Sequence, residues 1–309
     1  MKIACIFPGQ GAQKVGMGLD IYKNFKSARD VFDEADDVLN QKLSKIIFEG
    51  PEEELTLTAN TQIALMVTSI AMLRVVEEKF GKKLQEFCDI VAGHSLGEFT
   101  ALVANQSLTF PDCVRILQAR GKAMQEAGGG AMFALLGADI SIATKIAEES
   151  GVYVANDNAP AQQVLSGELS AIQKAIKISE SAGYKTVKLN VSGPFHSKLM
   201  EPAMAILEET LSSIDFKNPE IKIISNFTGE IMPVQDIKKN LLLQLTNTVK
   251  WCDSIRNLKT LGIKTILEVG PGKIYTNLTK RIDATLEPIA LNDEESINLF
   301  VENMSAKTL

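Results

Sequence analysis

Histidine is nearly absent from this chain, and that scarcity narrows every catalytic hypothesis. Only His94 and His196 occur in 309 residues. The four cysteines, Cys5, Cys88, Cys113 and Cys252, are scattered with no C-x-x-C pair. They read as reduced, buried thiols of a cytoplasmic protein, and no metal site is expected. There is no dense run of Lys and Arg, and the formal net charge is −6, which argues against a nucleic-acid partner. No stretch approaches the roughly 18 apolar residues of a membrane span, so no membrane is expected as a partner. The apolar run Ile3–Phe7 stops at Pro8, too short for a signal peptide. Internal repeats and low-complexity segments are also missing.

What the chain does have is 45% hydrophobic residues, enough for a large domain with or without a small companion. The segment Val91-Ala92-Gly93-His94-Ser95-Leu96-Gly97-Glu98 follows a short apolar run and leads into a helical pattern. Strand, sharp turn and helix around Gly93-x-Ser95-x-Gly97 fit a nucleophile elbow, which exposes the serine hydroxyl on a strained turn. The glycines are required where a side chain would strike the neighbouring strand and helix. The helix start also brings free N–H groups and partial positive charge to the serine.

Upstream, the strand Lys2–Phe7 ends in Pro8-Gly9-Gln10-Gly11-Ala12-Gln13. Lys14 breaks G-x-G-x-x-G and no G-K-[ST] follows, so this is not a phosphate loop. Either it is a plain turn or its N–H groups and Gln10 face a ligand. Helical spacing runs from about 19 to 49 and again from Glu52 to Phe80, with Thr61 and Gln62 near the start of the second stretch.

Phe110-Pro111-Asp112 opens a helix running to about Glu126. Arg120 lies three or four residues from Ile116, Leu117, Ala123 and Met124, so it projects from the apolar side, whereas Arg115 projects from the wet side. An arginine cannot shed its charge, so Arg120 needs an anion. That anion is either an internal Asp or Glu or a bound substrate carboxylate.

Gly128-Gly129-Gly130 marks a boundary. Beyond it the pattern reads as strand Ala131–Gly137, helix Ile140–Ser150 and strand Val152–Ala155, then strand Gln163–Ser166, helix Leu169–Ala182 and strand Lys185–Val191. That β-α-β-β-α-β order is the ferredoxin-like split unit, here inserted into a larger domain. Asn156-Asp157-Asn158-Ala159-Pro160 is expected as a polar turn that can face the cleft. The insert ends at Ser192-Gly193-Pro194-Phe195-His196-Ser197. Neighbours at a sharp elbow point apart, so a base for Ser95 would be His196 and not His94. The alternative is an ordinary core or surface histidine. Later segments predict a helix over Pro202–Ser213, a strand over Ile221–Ser225 and a helix from about Val234 to Leu245. A helix then starts at Trp251, with strands over Thr265–Val269 and Glu287–Asn292. Alternating strands and helices around an elbow imply an α/β fold with a mostly parallel sheet covered on both faces.

Together these motifs resemble the malonyl-CoA:acyl-carrier-protein transacylases, the free-standing loading enzymes of type II fatty acid synthesis. The carriers are Phe7-Pro8-Gly9-Gln10-Gly11-Ala12-Gln13, the elbow, Arg120-Gly121-Lys122-x-Met124-Gln125, the stretch Ser192–Ser197, and Glu268-Val269-Gly270-Pro271-Gly272-Lys273. The resemblance implies a large α/β-hydrolase-like domain, residues 1–127 and 194–309, with a small ferredoxin-like domain at 128–193. It implies Ser95 as nucleophile, His196 as base, and the backbone N–H groups of Gln10 and Leu96 as oxyanion hole. Arg120 would hold the malonyl carboxylate, Gln244 would orient His196 through its carbonyl, and Gln62 and Asn156 would line the pocket. Malonyl-CoA and holo-acyl carrier protein would be the partners. The coenzyme A thioester and the phosphopantetheine arm would be substrates, with no bound cofactor. An acidic carrier needs a basic patch, for which Lys185, Lys188 and Lys198 are candidates. Competing readings are a serine esterase or thioesterase on a related fold and a non-catalytic acyl-carrier-binding protein.

Overall fold

The structure is a computed structural model and describes residues 2–306. Residues 1 and 307–309, which end the expected large-domain segments, lie outside the described residues. Nine strands form two sheets among the described residues: β1 Ile3–Phe7, β2 Ile90–Gly93, β3 Gly130–Leu136, β4 Tyr153–Ala159, β5 Gln162–Glu168, β6 Lys185–Lys188, β7 Lys222–Ile223, β8 Thr265–Val269 and β9 Glu287–Leu291.

The first sheet has the order β7-β2-β1-β8-β9, and each neighbouring pair is parallel. Strand β1 is buried at every position because its alternate residues feed two cores. Ile3, Cys5 and Phe7 join the core around the helix Thr58–Phe80. Ala4 and Ile6 join a second core with Trp251, Ile255 and Tyr275. Burial on both faces is what a parallel sheet needs and why its strands read as unbroken apolar runs.

The helix Thr58–Phe80 departs from expectation, since by length and composition it could cross a membrane. Its apolar window is 83% buried inside the protein, so it is a core helix, apolar all round because it is covered all round.

The second sheet is antiparallel, in the order β4-β5-β3-β6. The helices Ile140–Ser150 and Leu169–Ser181 contribute Ile146 and Ile172 to a separate core with Phe133 and Leu165. Met132, Ala155 and Val164 belong instead to the large core, so this sheet packs down onto the body. The result is an α/β fold with one parallel and one antiparallel sheet.

Several elements differ from the sequence reading. Asn156-Asp157-Asn158-Ala159 is not a turn but the second half of β4. Two register shifts, at Val154/Asn156 and Asp157/Ala159, keep these polar residues in the ladder with β5, and Asn156 also bridges Val249. Strand β6 stops at Lys188, because Asn190 and Val191 peel away to line a cavity. Strand β7 keeps only Lys222 and Ile223. Beyond it Ile224 turns back to bridge Ile231. The helix expected from Val234 begins with one 3-10 turn and becomes α-helical at Ile237. The sequence reading had no place for the helix Glu294–Ala306, whose Phe300 packs into the large core.

Candidate active site

The site lies at the carboxyl ends of the parallel strands, where β2 turns sharply into the helix Leu96–Ala104. Ser95 occupies that turn at φ 52°, ψ −109°, a backbone conformation that a non-glycine residue adopts only under constraint. The constraint is steric. A Cβ on Gly93 would sit 1.9 Å from the Gly97 carbonyl oxygen, and a Cβ on Gly97 would sit 2.3 Å from that of Phe7. The glycines let strand, elbow and helix touch. Asn226, just past β7, pins the turn: its Oδ1 accepts from the Ser95 N–H at 2.7 Å, and its Nδ2 donates to the Gly93 carbonyl at 2.6 Å.

Ser95 Oγ lies 2.8 Å from His196 Nε2, although the residues are 101 apart in sequence. His196 follows the second sheet, and its Nδ1 lies 2.8 Å from the Gln244 main-chain oxygen. A carbonyl only accepts, so Nδ1 carries the proton and Nε2 is left to accept from the serine. Burial pushes the His196 imidazole down to about 3, and the Arg120 charge adds to the effect while the Gln244 carbonyl opposes it. The ring is therefore neutral at physiological pH. His94 turns away from the serine: its Nε2 meets Asn158 Oδ1 at 2.9 Å, and its ring packs against Trp251 and Tyr275.

Arg120 is 1% exposed, as its place on the apolar helix face requires. Its Nη1 donates to Gln62 Oε1 at 2.5 Å, and its Nη2 donates to Gln244 Oε1 at 3.0 Å and to Ser95 Oγ at 3.1 Å. The guanidinium lies over Phe99, 5.3 Å from the ring centre. Every partner is neutral. Among the described residues no carboxylate forms an ion pair with Arg120, and its Nε has no partner at all. Burial lowers it to about 9, against the opposing pull of the Glu98 carboxyl, so it stays charged at neutral pH. Arg115, on the same helix, is exposed and pairs with Asp112 at 3.0 Å.

A cavity of about 380 Å³ opens over this cluster. Ser95, His196, Gln10, Leu96, Gln62 and Asn156 all line it, so the residues singled out in the sequence converge, with Arg120 and Gln244 just behind, bonded to Ser95. Met132 and the segment Leu189–Val191 form the wall from the second sheet. Neither the Gln10 nor the Leu96 backbone N–H donates a hydrogen bond to any described residue. Lys185, Lys188 and Lys198 are all exposed. No group of three His, Cys, Asp or Glu side chains among the described residues is arranged to hold a metal ion.

Two residues of this cluster escaped the sequence reading as site residues. One is Asn226. The other is Glu98, fully buried, which accepts from Asn226 N at 3.1 Å and from Gln244 Nε2 at 2.5 Å. Burial pushes the Glu98 carboxyl up to about 7, against the pull of Gln244, Asn226 and Arg120. A signal existed for Glu98: it is the one charged residue in the helix LGEFTALVA, whose every position is buried. Asn226 offered only a polar residue after an apolar strand.

The family model described as "Acyl transferase domain" matches residues 4–297. The malonyl CoA-acyl carrier protein transacylase of Bacillus subtilis is 44% identical over 98% of this chain and 97% of its own length. That of Escherichia coli K12 is 38% identical over 97% of this chain and 99% of its own length. Among solved structures, the acyl-carrier-protein S-malonyltransferase of Bartonella henselae superposes with a TM-score of 0.95 at 38% identity, covering 99% of this chain and all of that one. A malonyl-transacylase solved in complex with its type II polyketide acyl-carrier protein gives 0.94 at 38% identity, over 98% of this chain and 100% of that chain.

Proposed function

This chain belongs to the acyl transferase domain family, and on that premise we infer that it moves the malonyl group from malonyl-CoA to the phosphopantetheine thiol of an acyl carrier protein. The observation that carries the reading is the surroundings of Ser95 Oγ. A neutral imidazole nitrogen at 2.8 Å and a buried cation at 3.1 Å meet at one hydroxyl, and the cation has no acid of its own.

The reaction runs in two halves. Ser95 Oγ attacks the thioester carbonyl while its proton passes to His196 Nε2. The oxyanion is held by the free N–H groups of Gln10 and Leu96, each lowering the barrier by about 3 kcal/mol. As the C–S bond breaks, the imidazolium returns its proton to the coenzyme A thiolate, and a malonyl ester remains on Ser95. The carrier thiol then gives its proton to His196 and attacks the ester. The thioester forms on the carrier, and the proton goes back to Ser95 Oγ. The Gln244 carbonyl fixes the tautomer throughout but offers the imidazolium no full negative charge. Arg120 pairs with the free malonyl carboxylate, which selects malonyl over acetyl. The same pairing offsets the charge that depresses His196, so the anionic substrate strengthens the base that deprotonates Ser95.

Gln62 holds the Arg120 fork, and Asn156 forms pocket wall. Nucleophile, base and oxyanion donors all come from this chain, so the proposed reaction uses no bound cofactor. The two sheets support a division into a large domain of residues 1–127 and 194–309 and a small domain of 128–193. The elbow supports an α/β-hydrolase-like reading of the large one. Four free, buried cysteines suit a cytoplasmic setting. The carrier approaches the cleft past Lys185, Lys188 and Lys198.

Incubation with malonyl-CoA tests the function. Intact-mass analysis should show one malonyl adduct that persists in buffer and disappears when holo-acyl carrier protein is added, with the malonyl group recovered on the carrier. Rapid release of free malonate without carrier would instead mark a hydrolase.

A further inference from the structure

The family reading uses Ser95, His196, Arg120 and the Gln244 carbonyl, and leaves Glu98 without a task. Its position is not incidental. Both carboxylate oxygens accept from N–H donors, Oε1 from Asn226 and Oε2 from Gln244. Each of those partners in turn holds the elbow: Asn226 through the Ser95 N–H, Gln244 through the Ser95 carbonyl at 3.0 Å. Gln244 also accepts from Arg120 Nη2 with its side chain and from His196 Nδ1 with its main chain. One buried acid thus stands behind nucleophile, base and cation together, and it lines no part of the cavity.

The orientation of the Gln244 amide depends on this acid. With Nε2 toward Glu98 Oε2 and the Ser95 carbonyl, Oε1 faces the guanidinium. Turned over, the amide would place Oε1 against two acceptors and its N–H groups against a cation. A carboxylate bonded directly to Arg120 would neutralise it and compete with a substrate carboxylate. With an amide interposed, the cation is anchored by a neutral acceptor and keeps its charge for the ligand.

We propose that Glu98 is a positioning residue for the transfer, acting through the Gln244 amide to hold Arg120 beside Ser95 while leaving the guanidinium without an acid of its own. This rests on the malonyl-transfer reading. It places the acid that ordinary triads bond to histidine one residue further back, on the amide.

The test is a pair of variants assayed for Ser95 malonylation by rapid quench and intact mass, with thermal midpoints measured alongside. Glu98→Gln presents an N–H where a donor already points. It should lower the rate of malonylation about 10- to 100-fold, with a smaller change in the KM for malonyl-CoA. Glu98→Asp should recover part of that rate. The exchange Glu98→Gln with Gln244→Glu restores a hydrogen bond between the two positions, though not the one to the Ser95 carbonyl, and puts a carboxylate directly on Arg120. Its thermal midpoint should return toward wild type while its preference for malonyl over acetyl collapses. If Glu98→Gln does not accumulate folded, the exchange decides alone. The proposal is overturned if Glu98→Gln malonylates at the wild-type rate. It is equally overturned if the exchange recovers malonyl preference together with stability, for Glu98 would then serve the fold only. An adduct in wild type that is lost in Ser95→Ala keeps the malonyl-transfer reading standing in either case. Failure of wild type to form it sinks that reading instead.

Discussion

Strands β1 and β8, central in the parallel sheet, are buried along their whole length, whereas three of the four residues of β6, an edge strand of the antiparallel sheet, are exposed. The parallel sheet and its helices, the side buried at the elbow, supply Ser95, Arg120, Gln244 and Glu98. The antiparallel sheet supplies the buried Met132 and Asn156 and, past β6, the Leu189–Val191 wall, and hands over to His196 only after its last strand. Groups that must stay within tenths of an ångström of one another sit on elements fixed by core packing, and groups that shape access sit on the other sheet. Four tests challenge that division, taken in decreasing order of effect.

Ser95→Ala should abolish the malonyl adduct outright, whereas Asn156→Ala should keep it and mainly change the KM. Loss of the adduct in both, read by intact mass, would erase the distinction between reacting group and wall.

Backbone substitutions sharpen the contrast. Gly97→Ala forces a Cβ into the Phe7 carbonyl and should cost about 3 kcal/mol in urea unfolding. Gly151→Ala, in the second sheet's unit, has positive φ but open space around it and should cost about 1 kcal/mol. Equal costs would mean that the elbow is not the tighter region.

The two histidines give a protonation readout. Both are buried, and burial lowers His94 to about 4 and His196 to about 3. Nitrogen NMR of 15N-histidine-labelled protein should therefore show two neutral rings at pH 6. Arg120→Ala removes a positive charge that disfavours the imidazolium, so the His196 value should rise while that of His94 scarcely moves. A protonated His196 at pH 6 in the unliganded wild type would contradict the geometry.

The smallest effect is expected at the surface. Reversing the charges of Lys185, Lys188 and Lys198 should leave Ser95 malonylation unchanged. It should raise the carrier KM by roughly 10-fold at low salt and less at high salt. An unchanged carrier KM at low salt would move the docking patch elsewhere.

Much of the buried side was legible in the sequence because its signals are local. The elbow glycines, the helix arithmetic that turned Arg120 inward, and the scarcity of histidine each followed from spacing or count. The helix Phe110–Glu126 and strand Thr265–Val269 run to the expected ends, since apolar periodicity and strong stops coincide there. Tertiary pairing hid the rest. Asn156–Ala159 reads as a turn in composition, yet stays in β4 because bulges and the bridge to Val249 absorb its polar groups. Asn226 meets the elbow, and the Glu98 side chain meets Asn226 and Gln244, through contacts spanning 128 to 146 residues, a distance over which no local pattern names the partner. The anion for Arg120 is likewise decided by tertiary contacts: its neighbours are amides, a hydroxyl and a ring, with Glu98 held one residue back.

This cation, bonded to no acid and facing Glu98 only across the Gln244 amide, decides which acyl group Ser95 accepts. That choice is tested by offering malonyl-CoA and acetyl-CoA at equal concentration to wild type and Arg120→Ala, then weighing the acyl-enzyme. Wild type should carry malonyl almost exclusively. Arg120→Ala should lose about 2–5 kcal/mol of malonyl recognition and carry mostly acetyl. An unchanged malonyl-to-acetyl ratio in the variant would contradict the account.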